Sequence, residues 1–328
     1  MRAALLLSAV LLASPAAAWF DGGHRLIASL AMRRIEPARR AELADILRQH
    51  PMYAQDFGGP MPAAARGGDA EADYLMQMAA VWPDVARNYE GETRLRFDRP
   101  RWHYLEWQVF MDDDSLGILS GRLDPIAFSH PGGLDHPALN AVQAVDNSRA
   151  VLADPLATDE EKAVHVCWVA HLVGDLHQPC HAASLYSKSM YRTGNKGGNW
   201  TPVEPGENMH LFWDGLLGEA KPESEADFLR VRSRADDLAA GPEFEAISAV
   251  AAVETRSPRW AYESHTLAKE AVYTPDLLGY LTRMEADRVK SIDLPPFVLE
   301  EPYQRAALKL AERRAVEAAA RLAAVLSE

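Results

Sequence analysis

The chain has 328 residues, a formal net charge of −13, 48% hydrophobic residues and 25% charged ones. It is long and apolar enough to bury a sizeable core, and too acidic to offer duplex DNA the basic face that its phosphates require. Phosphate chemistry stays open in a cleft where bound metal supplies positive charge locally.

The first twenty residues read MRAALLLSAVLLASPAAAWF. Arg2 precedes an apolar run from Ala3 to Ala13, Pro15 breaks it, and Ala16 and Ala18 form an A-x-A cleavage signal. The run is too short for a membrane span, so residues 1–18 are expected to be a secretory signal peptide. Cleavage there removes Arg2 and no acid, so the mature chain carries −14 and begins at Trp19. A periplasmic or secreted protein without a membrane anchor is expected.

Beyond residue 20 the chain reads mostly as helix. Residues 24–50 place Leu26, Ile27, Leu30, Ala31 and Ile35 at helical spacing, with a break at Pro37. Residues 71–87 do the same with Tyr74, Leu75, Met78, Ala79 and Trp82. Segments 137–153 and 159–178 come next, the second opening with acids that favour a helix start. Segments 208–219, 242–254 and 259–272 look shorter, and 301–327 is a long alanine-rich amphipathic helix. RWHYLEWQVF at 101–110 can be extended, and 57–68, 131–136 and 193–207 are loops. No repeat or low-complexity linker divides the chain, so one all-α domain is expected over 19–328. A helix running from Cys167 to Pro179 would hold Cys167 and Cys180 about 18 Å apart. Both are therefore expected to be buried free thiols.

Residues 171–181, HLVGDLHQPCH, crowd three histidines and an aspartate into eleven positions. His171 and Asp175 are four apart and share a helical face, and His181 lies beyond the helix breaker Pro179. ENMHLFWD repeats the spacing with His210 and Asp214. Together with His181 these make a three-ligand set that leaves a fourth position open, as catalytic zinc sites do. WFDGGH offers His24 close to the Trp19 amine and carbonyl once the signal is cleaved. WPDVAR offers Asp84 and Arg87, RWHYLEW offers His103, Tyr104 and Glu106, and NKGGN offers Asn199 on a glycine loop. Taken singly, each has a plain structural reading: an Asp–Arg pair three apart is usually a surface ion pair, and a histidine among aromatics usually packs.

In combination, and in this order from residue 19 to 214, the motifs resemble those of the S1/P1 nuclease family of zinc-dependent single-strand nucleases and 3′-nucleotidases. The resemblance implies three zinc ions. One would be held by Asp84, His103, His171 and Asp175, and a second by His181, His210 and Asp214. The third would take the Trp19 amine and carbonyl with His24, and share Asp175. Asp84, Asp175 and Arg87 would carry catalysis, with hydroxide generated on zinc attacking phosphorus and Arg87 steadying the phosphate. Tyr104, Glu106 and Asn199 would bind the base, Glu106 standing where the family has Asp. His177 receives no ligand role and is expected to support or pack. The substrates implied are single-stranded DNA or RNA, cleaved to 5′-phosphates, and 3′-nucleotides, by a monomer with no stable duplex binding. Two other readings are a bacterial zinc phospholipase C, which shares the fold, and a periplasmic zinc-binding protein without activity.

Overall fold

A computed structural model describes residues 19–128, 136–221 and 223–328. The signal segment read at 1–18, and all but the last residue of the 131–136 loop, lie outside them.

The predicted 24–50 helix is two helices, α1 (Asp21–Met32) and α2 (Pro37–Leu47). Pro37 sits in the first turn of α2, where a missing N–H leaves no bond unmade. Every residue of α1 after Asp21 is buried. It packs against α3 (Gly68–Ala86), α9 (Glu225–Ala239) and α13 (Glu301–Leu326). The stripe Tyr74, Leu75, Met78, Ala79 and Trp82 faces inward on α3 as its spacing predicts.

α6 (Ala141–Ala153) and α7 (Asp159–Asp175) pack on each other, and α7 also packs on α3. Both start with a capping box, Asn140 with Gln143 and Thr158 with Glu161, which satisfies N–H groups that the first turn leaves unpaired. All residues of α7 from Val166 to Asp175 are buried, so the helix lacks the polar stripe of a surface helix. The alanines of α13 (Ala311, Ala315, Ala318, Ala319) let it lie close against α1 and α10 (Phe244–Ala252). α8 (Met209–Gly215) falls within its predicted segment, and α11 (Ser257–Leu267) starts two residues before the predicted 259–272.

α4 (Gly91–Phe97), α5 (Asp113–Leu119), α9, α12 (Pro275–Ala286) and a π-helical turn at Tyr53–Gly58 were not expected. α9 buries only Phe228, Val231 and Ala235 among many charges, which is too sparse a stripe to stand out. Its cap was legible: Ser224 accepts from Asp227 N–H, as Thr274 does from Leu277 at the start of α12.

The extended reading of 101–110 holds only at its end. Residues 101–103 are a turn, and β1 (Gln108–Phe110) pairs in parallel with β2 (Ser184–Tyr186). A second parallel pair joins β3 (Val203–Glu204) to β4 (Phe297–Val298). These short ladders matter for position. The first continues through Leu105 N–H to His181 O at 2.7 Å and Ser184 N–H to Trp107 O at 2.9 Å, which ties the segment after His103 to the one that carries His181.

Buried apolar side chains form two clusters. The larger joins α1, α2, α3, α6, α7 and α13. The smaller gathers Val109, Cys180, Leu185, Tyr191, Met209, Trp213, Tyr273 and Leu277. Cys167 and Cys180 are free and buried, one in each cluster. Among the described residues no helix is long and apolar enough to cross a membrane.

Candidate metal centre

The two clusters meet where the predicted ligands meet. α1 brings His24, the last turn of α3 brings Asp84, the turn before β1 brings His103, and α7 brings His171 and Asp175. From the other side, a 3-10 turn at Pro179–Ala182 brings His181, and α8 brings His210 and Asp214.

Three groups of ligand atoms converge: His24, His171 and Asp175; Asp84, His103 and His171; and His181, His210 and Asp214. Asp175 is at the hub. Its Oδ1 lies 3.3 Å from His24 Nε2, and its Oδ2 lies 3.3 Å from both His103 Nδ1 and His171 Nε2. His171 belongs to two of the groups, and His24 stacks on it with ring centroids 4.1 Å apart. Trp19 is fully buried, and its indole N–H donates to Gly174 O at 3.1 Å, which holds the segment before α1 against the end of α7.

The donor chemistry fits metal ions. His181 Nδ1 donates to His103 O at 2.6 Å, and His210 Nδ1 donates to Gly197 O at 2.9 Å. Each Nε2 is then left with a lone pair, and the two Nε2 atoms face each other at 3.1 Å. Lone pairs repel at that separation unless a cation lies between them. His171 Nδ1 donates to Ala80 O at 2.8 Å, and its Nε2 is 2.9 Å from His103 Nδ1. Six buried atoms of the centre lack any hydrogen-bond partner, both ring nitrogens of His24, both oxygens of Asp175, His103 Nε2 and Asp214 Oδ2, while Asp84 Oδ1 meets Arg87. Buried polar atoms are seldom left so. Backbone carbonyls orient the imidazoles, as is usual for ligating histidines.

The electrostatics agree. Burial pushes Asp214 well above the usual carboxylate range against its bond from Gln178, and neighbouring Asp175 and Asp84 push it further. Burial also works against the charge on Asp175, but His171 and His181 outweigh it and hold its carboxyl well below that range. Three carboxylates in one buried place call for positive charge, and Arg87, 3.0 Å from Asp84, is the cation paired with one of them. Burial lowers His24 to about 4 and His103 and His210 to about 3, which keeps them neutral, the form that binds metal.

This burial predicts how stability depends on pH. Unfolded, these rings titrate near 6.5; folded, they resist protonation until about 3–4. Between those values the unfolded chain binds more protons, so stability is full above 6.5 and is lost as pH falls. His171 acts in the opposite sense: burial opposes its charge, but Asp175 and Asp84 raise its pKa overall. Among the ligand rings it is one against four, because burial lowers His181 as well. The Tm of the metal-free chain is expected to fall continuously as the pH drops from 7 to 4, by thermal unfolding in matched ionic strength. A constant Tm would contradict the buried neutral rings.

Several supporting residues carry no ligand spacing of their own. Gln178 Nε2 donates to Asp214 Oδ1 at 2.6 Å while its Oε1 accepts from Cys180 N–H, so it aims the carboxylate. His177 points away from the centre. Its Nδ1 donates to Val173 O at 2.6 Å, and Arg321 of α13 donates to its Nε2 at 2.8 Å. Arg321 also holds Glu263 through both guanidinium nitrogens at 2.7 and 3.0 Å, and Arg314 reaches His177 O at 3.3 Å. Ser264 adds a bond to Leu176 O at 2.6 Å. The C-terminal helices thus clamp the end of α7, which presents Asp175. This role of the C-terminal third could not be read from motifs, because Glu263, Arg314 and Arg321 lie far along the chain from what they hold.

Tyr104 and Asn199 are half-buried, and Glu106 Oε1 pairs with Lys196 Nζ at 2.7 Å. Asn199 donates its side-chain amide to Lys196 O at 2.7 Å. Lys196 therefore links two residues that the sequence had singled out separately.

A family model described as S1/P1 Nuclease matches residues 19–328. No curated protein matches the chain significantly.

Proposed function

The chain belongs to the S1/P1 nuclease family, a hydrolase of phosphate esters with three His/Asp metal groups, and from that premise we propose that it cleaves single-stranded DNA or RNA to 5′-phosphates and 3′-nucleotides to nucleosides. The observation that carries this reading is the set of buried, unpartnered nitrogens and oxygens facing one another across the centre.

Asp84, His103, His171 and Asp175 would hold one zinc, and His181, His210 and Asp214 a second. His24 and Asp175, with the Trp19 amine and carbonyl, would hold a third. Zinc so held supplies Lewis acidity and makes water acidic enough to attack phosphorus near neutral pH. Arg87, fixed beside Asp84, is placed to steady charge on the phosphate oxygens as bonds change. Asp175 holds its charge in a dry environment, where it acts more strongly than in water. Tyr104 offers a face to the base, and Glu106 and Asn199 offer polar atoms to its edge. A base stacked in a duplex could not meet Tyr104 without being pulled out, which favours single strands.

Use of the Trp19 amine requires removal of residues 1–18, so we further propose export with signal cleavage, to the periplasm or medium, and action as a monomer. A chain beginning at Trp19 is expected to bind three zinc ions and to hydrolyse both substrates. A chain that keeps Ala18 is expected to lose the ion at His24 and most of its turnover. Equal metal content and turnover in the two forms would refute the terminal chelate. A zinc-loaded chain that attacks neither substrate would refute the reaction.

A further inference from the structure

Trp200 is 41% exposed, whereas six of the other seven tryptophans are buried. Its backbone is nonetheless firmly held. Its N–H donates to Asn195 O at 3.1 Å, and its carbonyl accepts from Tyr191 O–H at 3.0 Å. Asn195, fully buried, accepts through Oδ1 from Leu185 N–H at 2.9 Å, Gly198 N–H at 3.1 Å and Tyr273 O–H at 3.0 Å. An indole 41% exposed on a rigid mount offers aromatic surface to a ligand.

Lys196 Nζ lies 5.9 Å from the centre of that ring and 2.7 Å from Glu106 Oε1. Lys196 adopts φ +57, a left-handed conformation that non-glycine residues seldom take and that favours functional sites when it occurs. The loop also abuts the metal centre, since Gly197 O receives the His210 bond. An exposed aromatic side chain, a cation beside it and the carbonyl that orients a candidate metal ligand therefore lie within one short loop. In a protein of net charge −13 such a cation is a local point of attraction for a phosphate strand.

We propose that Trp200 and Lys196 form a subsite for a second nucleotide of a single strand, next to the one being cleaved. Its base stacks on the indole, and its phosphate shares Lys196 with Glu106. The inference rests on the nuclease reading, and it assigns to the chain a preference for polymers over 3′-mononucleotides. Stacking of one base on an aromatic side chain is sequence-tolerant.

The test compares wild type with Trp200→Ala and Trp200→Phe, each zinc-loaded and checked for equal metal content and Tm. The substrates are a single-stranded oligonucleotide and a 3′-mononucleotide. Trp200→Ala is expected to raise the ratio of oligonucleotide KM to mononucleotide KM by about tenfold, with oligonucleotide kcat unchanged and most of the loss restored in Trp200→Phe. An unchanged ratio would overturn the subsite even if both substrates are hydrolysed. A wild type that hydrolyses neither would overturn the nuclease reading, and the subsite with it.

Discussion

Asp175→Asn is expected to leave a folded protein with almost no turnover. The side chain keeps its shape, but the charge shared by His24, His103 and His171, each 3.3 Å away, disappears. An amide nitrogen replaces one of two oxygens that have no hydrogen-bond partner, so a lone pair aimed at a cation becomes an N–H. Partners that merely orient a ligand cost about 10–100-fold when removed, so a ligand common to two ions should cost about 10³-fold or more in kcat. Two measurements separate this from simple damage. The metal-free variant should melt lower than metal-free wild type but still cooperatively, because the rings around Asp175 favour its charged form in the folded chain. Added zinc should raise the Tm of wild type far more than that of the variant, since stabilisation follows binding to the folded state. Wild-type turnover, or an equal zinc-induced rise in Tm, would remove Asp175 from the centre.

Gly197→Ala is expected to be highly damaging although Gly197 is not itself a ligand. Gly197 has φ +64, and a Cβ there would lie 2.5 Å from Cys180 O and 3.0 Å from His210 Nδ1. Neither the backbone oxygen nor the ring can yield easily, because His210 is bonded to Gly197 O itself. The loop must retreat, and His210 loses the acceptor that fixes its tautomer. We expect zinc affinity at His181, His210 and Asp214 to fall about 10–100-fold, the range for loss of such an orienting bond. Gly67→Ala serves as the control. Its φ +84 and ψ 144 lie where only glycine is at ease, but no atom is within 4 Å of the added carbon, so it should cost about 1–3 kcal/mol of backbone strain and no zinc. Equal zinc affinity in Gly197→Ala, measured by competition with a chelator, would show that the contact is not restrictive.

The helical periodicity of α1, α3, α7 and α13 was legible because each buries a continuous stripe or a whole helix, which leaves its mark on every third or fourth residue. α9 and α12 were not, because a helix that packs through two or three side chains writes too little into its sequence. The i, i+4 pairs His171/Asp175 and His210/Asp214 were visible because helix geometry alone puts four-apart residues on one face. Lys196, Gln178 and Trp200 were not singled out, since a lysine, a glutamine and a tryptophan at those positions have ordinary surface or packing readings. His177 shows the limit in another way. Its neighbours in sequence are ligands, yet the rotation of two residues past Asp175 turns it toward Arg321.

What the sequence by itself determined is the inventory: an acidic, helix-forming chain that carries three carboxylates and five imidazoles at ligand spacings. Local spacing can place two donors on one helix face, and no more. The tertiary structure decided that α1, α3, α7, α8 and the turns between them bring those donors to one seam between two apolar clusters. It also decided that residues some hundred and forty positions away, such as Arg321 against His177, hold the hub in place. The reason is that convergence of distant segments depends on which apolar faces bury each other, a property of the whole packed chain that no single stretch of it contains.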